Sequence, residues 1–374
     1  MTQSMTGTRS GPVGVALVGA GVISTQYLRN LTTFPDVRVV GIADLDTERA
    51  QAAAEEYGVP FSGDLDSVLA RPEVELVVNL TIPAAHTAVA QAALEAGKHV
   101  YGEKPLALDP VEGEKLLAEA AARGLRVGSA PDTFLGAGLQ SALRAIATGH
   151  IGTPVAANTA VMNFGPERWH PSPEFLFQYG AGPLFDLGPY YLTALVALLG
   201  PVSQVAATAR QGRAERVIGS GPRAGTGFAV EVPTHVTALL DFERGATAAT
   251  TFSFDSALPR IQFEVTGTEG TLAIPDPNTF DGVLRVRGGA DEDWRELRVG
   301  GTTAGRGIGV LEMARAVRAE RPHRASGELA QHVLETMAAV TDSAAAGAFR
   351  GVSSSCETPE PLGETWSPFE ATLG

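Results

Sequence analysis

The chain has 374 residues, enough for a large buried core and, by length, for two domains rather than one. Its net charge of −14, with 19% charged residues, provides no concentrated basic face of the kind that binds nucleic acid. A single cysteine, Cys356, excludes an internal disulfide and a thiolate metal cluster.

The first residues are polar, and no uninterrupted apolar run reaches membrane-spanning length, which reads as a cytoplasmic protein without a signal peptide or membrane contact. Val13 to Val18 is a short apolar, β-branched run followed at once by Gly19-Ala-Gly21-Val22-Ile23-Ser24 and a helix-like stretch to Leu31. Strand, glycine turn and helix in that order form a dinucleotide-binding pattern. Gly19 permits the turn, Gly21 lets the backbone approach a pyrophosphate, and the amides that follow, from Val22 and Ile23, can bind that anion. Ser24 stands where a third glycine is usual, which predicts slightly looser packing of helix on strand. Val37 to Ala43 reads as a second strand ending in Asp44, at the distance where such folds bond the adenosine ribose. A carboxylate there favours NAD over NADP, because it repels a 2′-phosphate; Arg49 lies a turn further on. Asp44 could instead cap the next helix, although Asp46 is better placed for that.

Alternation continues with a helix over 47–57, a strand over 75–80, a helix over 84–96, a strand over 99–102, a helix over 110–123 and a strand over 125–129. This βα repetition predicts a parallel, doubly wound sheet with ligands at the carboxyl ends of its strands. Gly19, Asp44, Leu80, Thr81, His86 and the Glu103-Lys104-Pro105 element are then expected along one cofactor-binding edge, with His86 at the start of a helix and open to a purely structural role. Lys104 is one of only three lysines, against twenty-five arginines. An ammonium can release a proton where a guanidinium cannot, so Lys104 fits a proton-handling or substrate-holding amine as well as an ordinary loop lysine. Pro105 is a candidate for a cis bond.

After Ala130 the pattern changes to a helix over 135–148, a strand over 155–163, a proline- and aromatic-rich loop over 164–182 and a helix from Pro183 to Leu199. Strand-like runs follow at 202–209, 230–242, 246–255, 261–267, 270–274 and 282–287, then helices over 309–320 and 326–346. Short turns between consecutive strands predict a mainly antiparallel sheet. The expected division is 12–130 for the dinucleotide domain and 131–350 for the second, with 1–11 and 351–374 as tails. On the helix from Pro183, Asp186 and Tyr190 are four apart and share a face. Asp186 sits in an apolar segment and calls for a partner such as a lysine, unless it serves only the helix dipole. Tyr191 reads as a packing aromatic. Metal-ligand spacing is absent; His99, His150, His235, His323 and His332 are scattered.

The Gly19-Ala-Gly21 turn, Pro83 and His86 ahead of the run to Glu103-Lys104-Pro105, and Gly180-Ala-Gly182-Pro-Leu-Phe-Asp186-Leu-Gly188-Pro-Tyr190 together resemble the Gfo/Idh/MocA oxidoreductases, the family of glucose-fructose oxidoreductase and inositol 2-dehydrogenase. The resemblance runs along nearly the whole chain. It implies a Rossmann domain, a C-terminal α+β domain with a large open sheet that mediates a homodimer or homotetramer, and NAD(P)-dependent oxidation or reduction of a sugar or polyol carbon. The family's lysine falls on Lys104 and its helix aspartate on Asp186. Many members carry a histidine four residues later as proton acceptor; here that position is Tyr190, as in sugar-active relatives. A tyrosine ionises near pH ~10 unperturbed, and a neighbouring ammonium lowers that.

The expected chemistry is a secondary alcohol bound between Lys104 and Tyr190, oriented by Asp186, with hydride passing to the nicotinamide. In the loop, Asn163, Trp169 and His170 are further substrate candidates: Trp169 to stack on a sugar face, His170 to bond hydroxyls or act as base. Asp132 and Thr133, at the junction of the two halves, are weaker ones. A member that retains NAD as an internal redox group, and a dinucleotide-binding regulator without turnover, are the competing readings.

Overall fold

The computed structural model describes residues 10–374; of the expected N-terminal tail, residues 1–9 lie outside the described residues. Six strands, β1 (Val13–Val18), β2 (Val37–Ala43), β3 (Ser62–Gly63), β4 (Leu76–Asn79), β5 (His99–Gly102) and β6 (Val127–Ser129), form one parallel sheet in the order β3-β2-β1-β4-β5-β6. All six residues of β1 are buried, as required of a strand covered on both faces. The crossovers carry helices α1 (Val22–Leu31), α2 (Thr47–Tyr57), α3 (Leu65–Leu69), α4 (Pro83–Glu95) and α5 (Pro110–Ala122). Asp46 caps α2 by accepting from the Arg49 amide. Strand order reverses between β1 and β4, the crevice where a doubly wound sheet binds its ligand.

Beyond the junction, α6 (Ala137–Ala147) leads into a nine-stranded sheet: β7 (Pro154–Met162), β8 (Val202–Arg210), β11 (His235–Phe242), β12 (Thr247–Ser253), β13 (Arg260–Gly267), β14 (Gly270–Ala273), β15 (Leu284–Gly288), β16 (Arg295–Leu297) and β17 (Arg350–Gly351). A separate antiparallel pair, β9 (Glu215–Val217) and β10 (Gly227–Ala229), is tied to the end of β12 through the buried Arg216. Pairing in the large sheet is antiparallel except between β7 and β12. Along β11, Val236, Ala238, Leu240 and Phe242 are buried while Leu239 is exposed, so one face is covered and the other open. α7 (Gly182–Leu199), α8 (Ile308–Arg318) and α9 (Gly327–Ala346) complete the architecture. α7 is long and apolar enough to cross a membrane by length and composition, but most of it is buried inside the protein as a core helix.

Some boundaries differ from expectation. The run 230–242 becomes strand only at His235, since Pro233 has no amide to contribute to a ladder. Short elements such as β3, α3 and β16 carry too few residues for a periodic signal.

The Ser-, Pro- and Glu-rich C-terminal segment, which reads as a tail, packs along the body. Leu362 is buried and its amide donates to Gln140. Phe369 meets Phe34 edge-on, and the amides of Thr372 and Leu373 donate to Asp36 just before β2. Asp36 also pairs with Arg315 of α8 at 2.7 Å. Composition alone conceals this, because the anchors are single apolar residues spaced through a polar segment.

Candidate active site

Gly19 has a φ of +102°, and a Cβ there would lie 2.7 Å from the Leu80 carbonyl oxygen, so only glycine fits. At Gly21 a Cβ would meet nothing within 4 Å, leaving open space beside the first turn of α1. Ser24 is buried and its hydroxyl donates to the Gly21 carbonyl at 2.6 Å, so the third position is filled and tied rather than loosened. The Asp44 carboxylate accepts from the Ala20 amide at 2.7 Å and the Asp46 amide at 2.9 Å, with the Arg49 guanidinium 3.8 Å away. An open glycine turn, free helix-terminal amides and a fixed carboxylate at one edge fit a dinucleotide. Val22 is exposed beside this turn, Ile23 is half-buried, and Leu80 is buried in the core, so Leu80 offers the edge only its backbone.

At the end of β5, the Lys104–Pro105 bond is cis. The Lys104 Nζ donates to the Asp186 carbonyl oxygen at 2.8 Å and to its Oδ1 at 3.0 Å. Burial pulls the Lys104 ammonium down, but the charge of Asp186, Tyr190 and Glu103 outweighs it and the group is held above the ordinary lysine value. Lys104 therefore stays charged at neutral pH, which favours a substrate-holding role over proton release. Two of its three N–H bonds are used, and the third has no hydrogen-bond partner among the described residues. Its ammonium lies over the Tyr190 ring, 5.3 Å from the centroid, rather than on the hydroxyl. That hydroxyl accepts from the Arg306 Nη2 at 3.0 Å. Below them Glu103 accepts from the Tyr27 hydroxyl at 2.8 Å and from the Lys104 amide at 3.1 Å. Burial, then the charge of Glu103, pushes the Tyr27 phenol well up, so it remains a proton-bearing donor.

Residues 13–130 match the family model described as "Oxidoreductase family, NAD-binding Rossmann fold", and residues 139–273 match the GFO/IDH/MocA C-terminal domain. The chain is a Gfo/Idh/MocA oxidoreductase. It is 27% identical over 275 residues to trans-1,2-dihydrobenzene-1,2-diol dehydrogenase of Bos taurus, covering 73% of this chain and 77% of the relative. To 1,5-anhydro-D-fructose reductase of Ensifer adhaerens it is 27% identical over 263 residues, covering 68% and 74%. Levoglucosan dehydrogenase in complex with NADH and L-sorbose superimposes with a TM-score of 0.80 over 92% of this chain and all (100%) of that one; at 22% identity this likeness is one of fold.

Within this Gfo/Idh/MocA protein several expected site residues have partners of their own. His86 is buried, its ring nitrogens 2.8 Å from the Pro105 carbonyl oxygen and 3.1 Å from that of Thr81, so it braces the turn after Lys104 against the segment after β4. Asp132 is fully buried, and its Oδ2 accepts from the amides of Gly307 and Gly309 ahead of and within α8. Thr133 is buried beside it. Asn163 closes its own turn by accepting from the Gly165 amide. Trp169 is 59% exposed, and His170 packs on Phe175 and accepts from the Ser172 amide. The loop's ion pairs run to the 215–223 segment, Glu167 to Arg216 and Glu174 to Arg223. No hydrogen bond or ion pair among the described residues joins Trp169 or His170 to Lys104 or Tyr190. Tyr191 is a packing aromatic, stacked on Phe263, as expected. Arg306 was not foreseeable as a site residue: nothing in its neighbourhood marks it except the flanking Gly305 and Gly307, at φ +97° and +101°.

Proposed function

We propose that the protein moves hydride between a nicotinamide cofactor and a secondary alcohol or ketone carbon of a sugar, polyol or related ring compound. The observation that carries this reading is the Lys104 ammonium, fixed twice by Asp186, with one N–H left over at the carboxyl edge of the dinucleotide sheet. That N–H binds the substrate oxygen and polarises it. Asp186 orients Lys104 and keeps it charged. Tyr190, on the same face of α7 as Asp186, exchanges the proton with that oxygen. When bound, NAD supplies the hydride acceptor, held by the Gly19–Gly21 turn, the amides of Val22 and Ile23, and Asp44.

Asp44 supports NAD over NADP, since its charge opposes a 2′-phosphate. The names of the relatives, a 1,2-diol dehydrogenase and an anhydro-sugar reductase, support a small hydroxylated substrate. The open sheet face supports assembly as a homodimer or homotetramer. The acidic net charge of −14 supports a protein without a nucleic-acid partner.

The test is the reduced-nicotinamide absorbance band with NAD, and separately with NADP, against free sugars, anhydro sugars, inositols and glycosides. Growth of the band with one class, faster with NAD, supports the reading. No growth with any class, in protein shown to bind NAD, overturns it in favour of a retained cofactor or a regulator.

A further inference from the structure

Arg306 stands between two glycines in left-handed conformation, immediately before α8. Its backbone is held on both sides, by the dinucleotide domain and by the junction between the two halves. Its carbonyl accepts from the Asn30 side chain of α1 at 2.7 Å, and the next amide, Gly307, donates to Asp132 at 2.8 Å. With the main chain fixed on both sides, the guanidinium is delivered to one place. There its Nη2 lies 3.0 Å from the Tyr190 oxygen, while its Nη1 is buried without a hydrogen-bond partner among the described residues.

A guanidinium can only donate, and a phenol has one hydrogen and two lone pairs. The Arg306 bond therefore occupies a lone pair of the Tyr190 oxygen and leaves the phenolic hydrogen free to point elsewhere. The charged and titratable groups around this pair are Lys104 over the Tyr190 ring, Asp186 on the same helix, and Glu103, Asp132 and the proton-bearing Tyr27 near Arg306. Burial pulls the Arg306 guanidinium down, but Tyr190, Glu103, Asp132 and Tyr27 together hold it above its ordinary value, so it remains a permanent cation.

We propose that Arg306 is the positioning residue of Tyr190, holding its oxygen as an acceptor, freeing its O–H for the substrate oxygen, and stabilising the phenolate. The inference rests on the reading of Tyr190 as the proton-exchange residue. In the oxidative direction the substrate's C–H bond breaks, its electron pair leaves as hydride to NAD, and the hydroxyl proton forms a new O–H bond on the Tyr190 phenolate. In the reductive direction the phenol returns that proton. Arg306 itself gains and loses nothing.

The test needs no substrate. Ultraviolet difference titration of the full-length protein, with and without Tyr190→Phe, isolates the ionisation of this one tyrosine; the same subtraction is made in Arg306→Met and Arg306→Lys. Removing a cation in hydrogen-bond contact is expected to move the midpoint upward by about one pH unit or more in Arg306→Met. A smaller upward move is expected in Arg306→Lys, whose ammonium keeps the charge without the planar fork. A midpoint unchanged from wild type in either folded variant overturns the proposal, because a purely structural arginine would leave it unmoved. The kinetic counterpart, on whichever substrate the panel supplies, is a fall in kcat with KM nearly preserved. Full turnover in Tyr190→Phe would defeat the reading of Tyr190 itself. An inactive Tyr190→Phe beside an unmoved midpoint defeats only the role of Arg306.

Discussion

Lys104, Asp186 and Tyr190 divide the work according to what each side chain can do. An ammonium whose neighbours hold it above its ordinary value is a donor and a field, not a base. Removing it as Lys104→Met is expected to lower turnover by about a hundredfold or more, with NAD affinity measured by tryptophan fluorescence within about twofold of wild type. Tyr190→Phe keeps the ring under Lys104 and deletes only the hydroxyl, so it should match that loss while binding NAD normally. The folded-state rise at Lys104 contributes stability that is fully present below the ordinary lysine value and lost only as pH climbs through the raised one. The pair is thus constant across neutral pH. At Asp44, loss of charge in Asp44→Asn is expected to shift the NADP-to-NAD ratio of kcat/KM upward by about tenfold, with Arg49 nearby to meet the phosphate. An unchanged ratio would remove the basis for NAD preference. Lys104 and Asp186 were legible as candidates because lysine is rare here and an aspartate in an apolar helix needs a partner. Arg306 was not, being one of many arginines whose contact with Tyr190 spans 116 residues of sequence.

Among the elements, α1 connects the cofactor edge to the reacting groups. Its first turn borders the glycine loop, its Tyr27 holds Glu103 and through it the Lys104 amide, and its Asn30 holds the Arg306 carbonyl. One rigid helix therefore touches the supports of both Lys104 and Tyr190. The C-terminal segment plays a comparable part between domains. Burial raises the Asp36 carboxyl, but the Thr372 hydroxyl, the Leu373 and Thr372 amides and Arg315 outweigh it and hold the group below its ordinary value. Deleting 362–374 strips Asp36 of its Thr372 and Leu373 donors and uncovers the Leu362 site. A loss of about 3 kcal/mol or more in urea unfolding is expected; an unchanged midpoint would mean the segment merely rests on the surface. The strong βα alternation and the long helices were legible because their periodicity spans many residues. The C-terminal segment was not, since Leu362, Trp366, Phe369 and Leu373 carry the spacing of a helix face in a segment that forms no helix, and what holds them lies far back in the sequence.

For the whole molecule, burial keeps several histidines neutral. Burial, then Arg126, pulls His99 down to about 4, and burial also lowers His323 and His332. A base whose folded value is depressed takes up its proton first in the unfolded chain, so stability falls as pH drops from the unfolded histidine value of about 6.5 towards 4. Thermal midpoints recorded across that range should decline steadily, whereas a flat profile would show these histidines to be solvated. Fold class and family were readable because a parallel, doubly wound sheet follows from the local alternation of strand and helix patterns, although its short edge strand β3 and its strand order were not predicted. The loop around Trp169 and His170 was harder: composition marked it as a place to bind something, but its ion pairs to Arg216 and Arg223 join segments that no local pattern brings together.

The most direct test of the central claim is turnover of wild type and Tyr190→Phe side by side, followed by reduced-nicotinamide absorbance with NAD and the sugar and polyol panel. The account predicts that wild type reduces NAD with at least one hydroxylated ring compound and that Tyr190→Phe, still binding NAD, does not. Equal rates in the two proteins would contradict it.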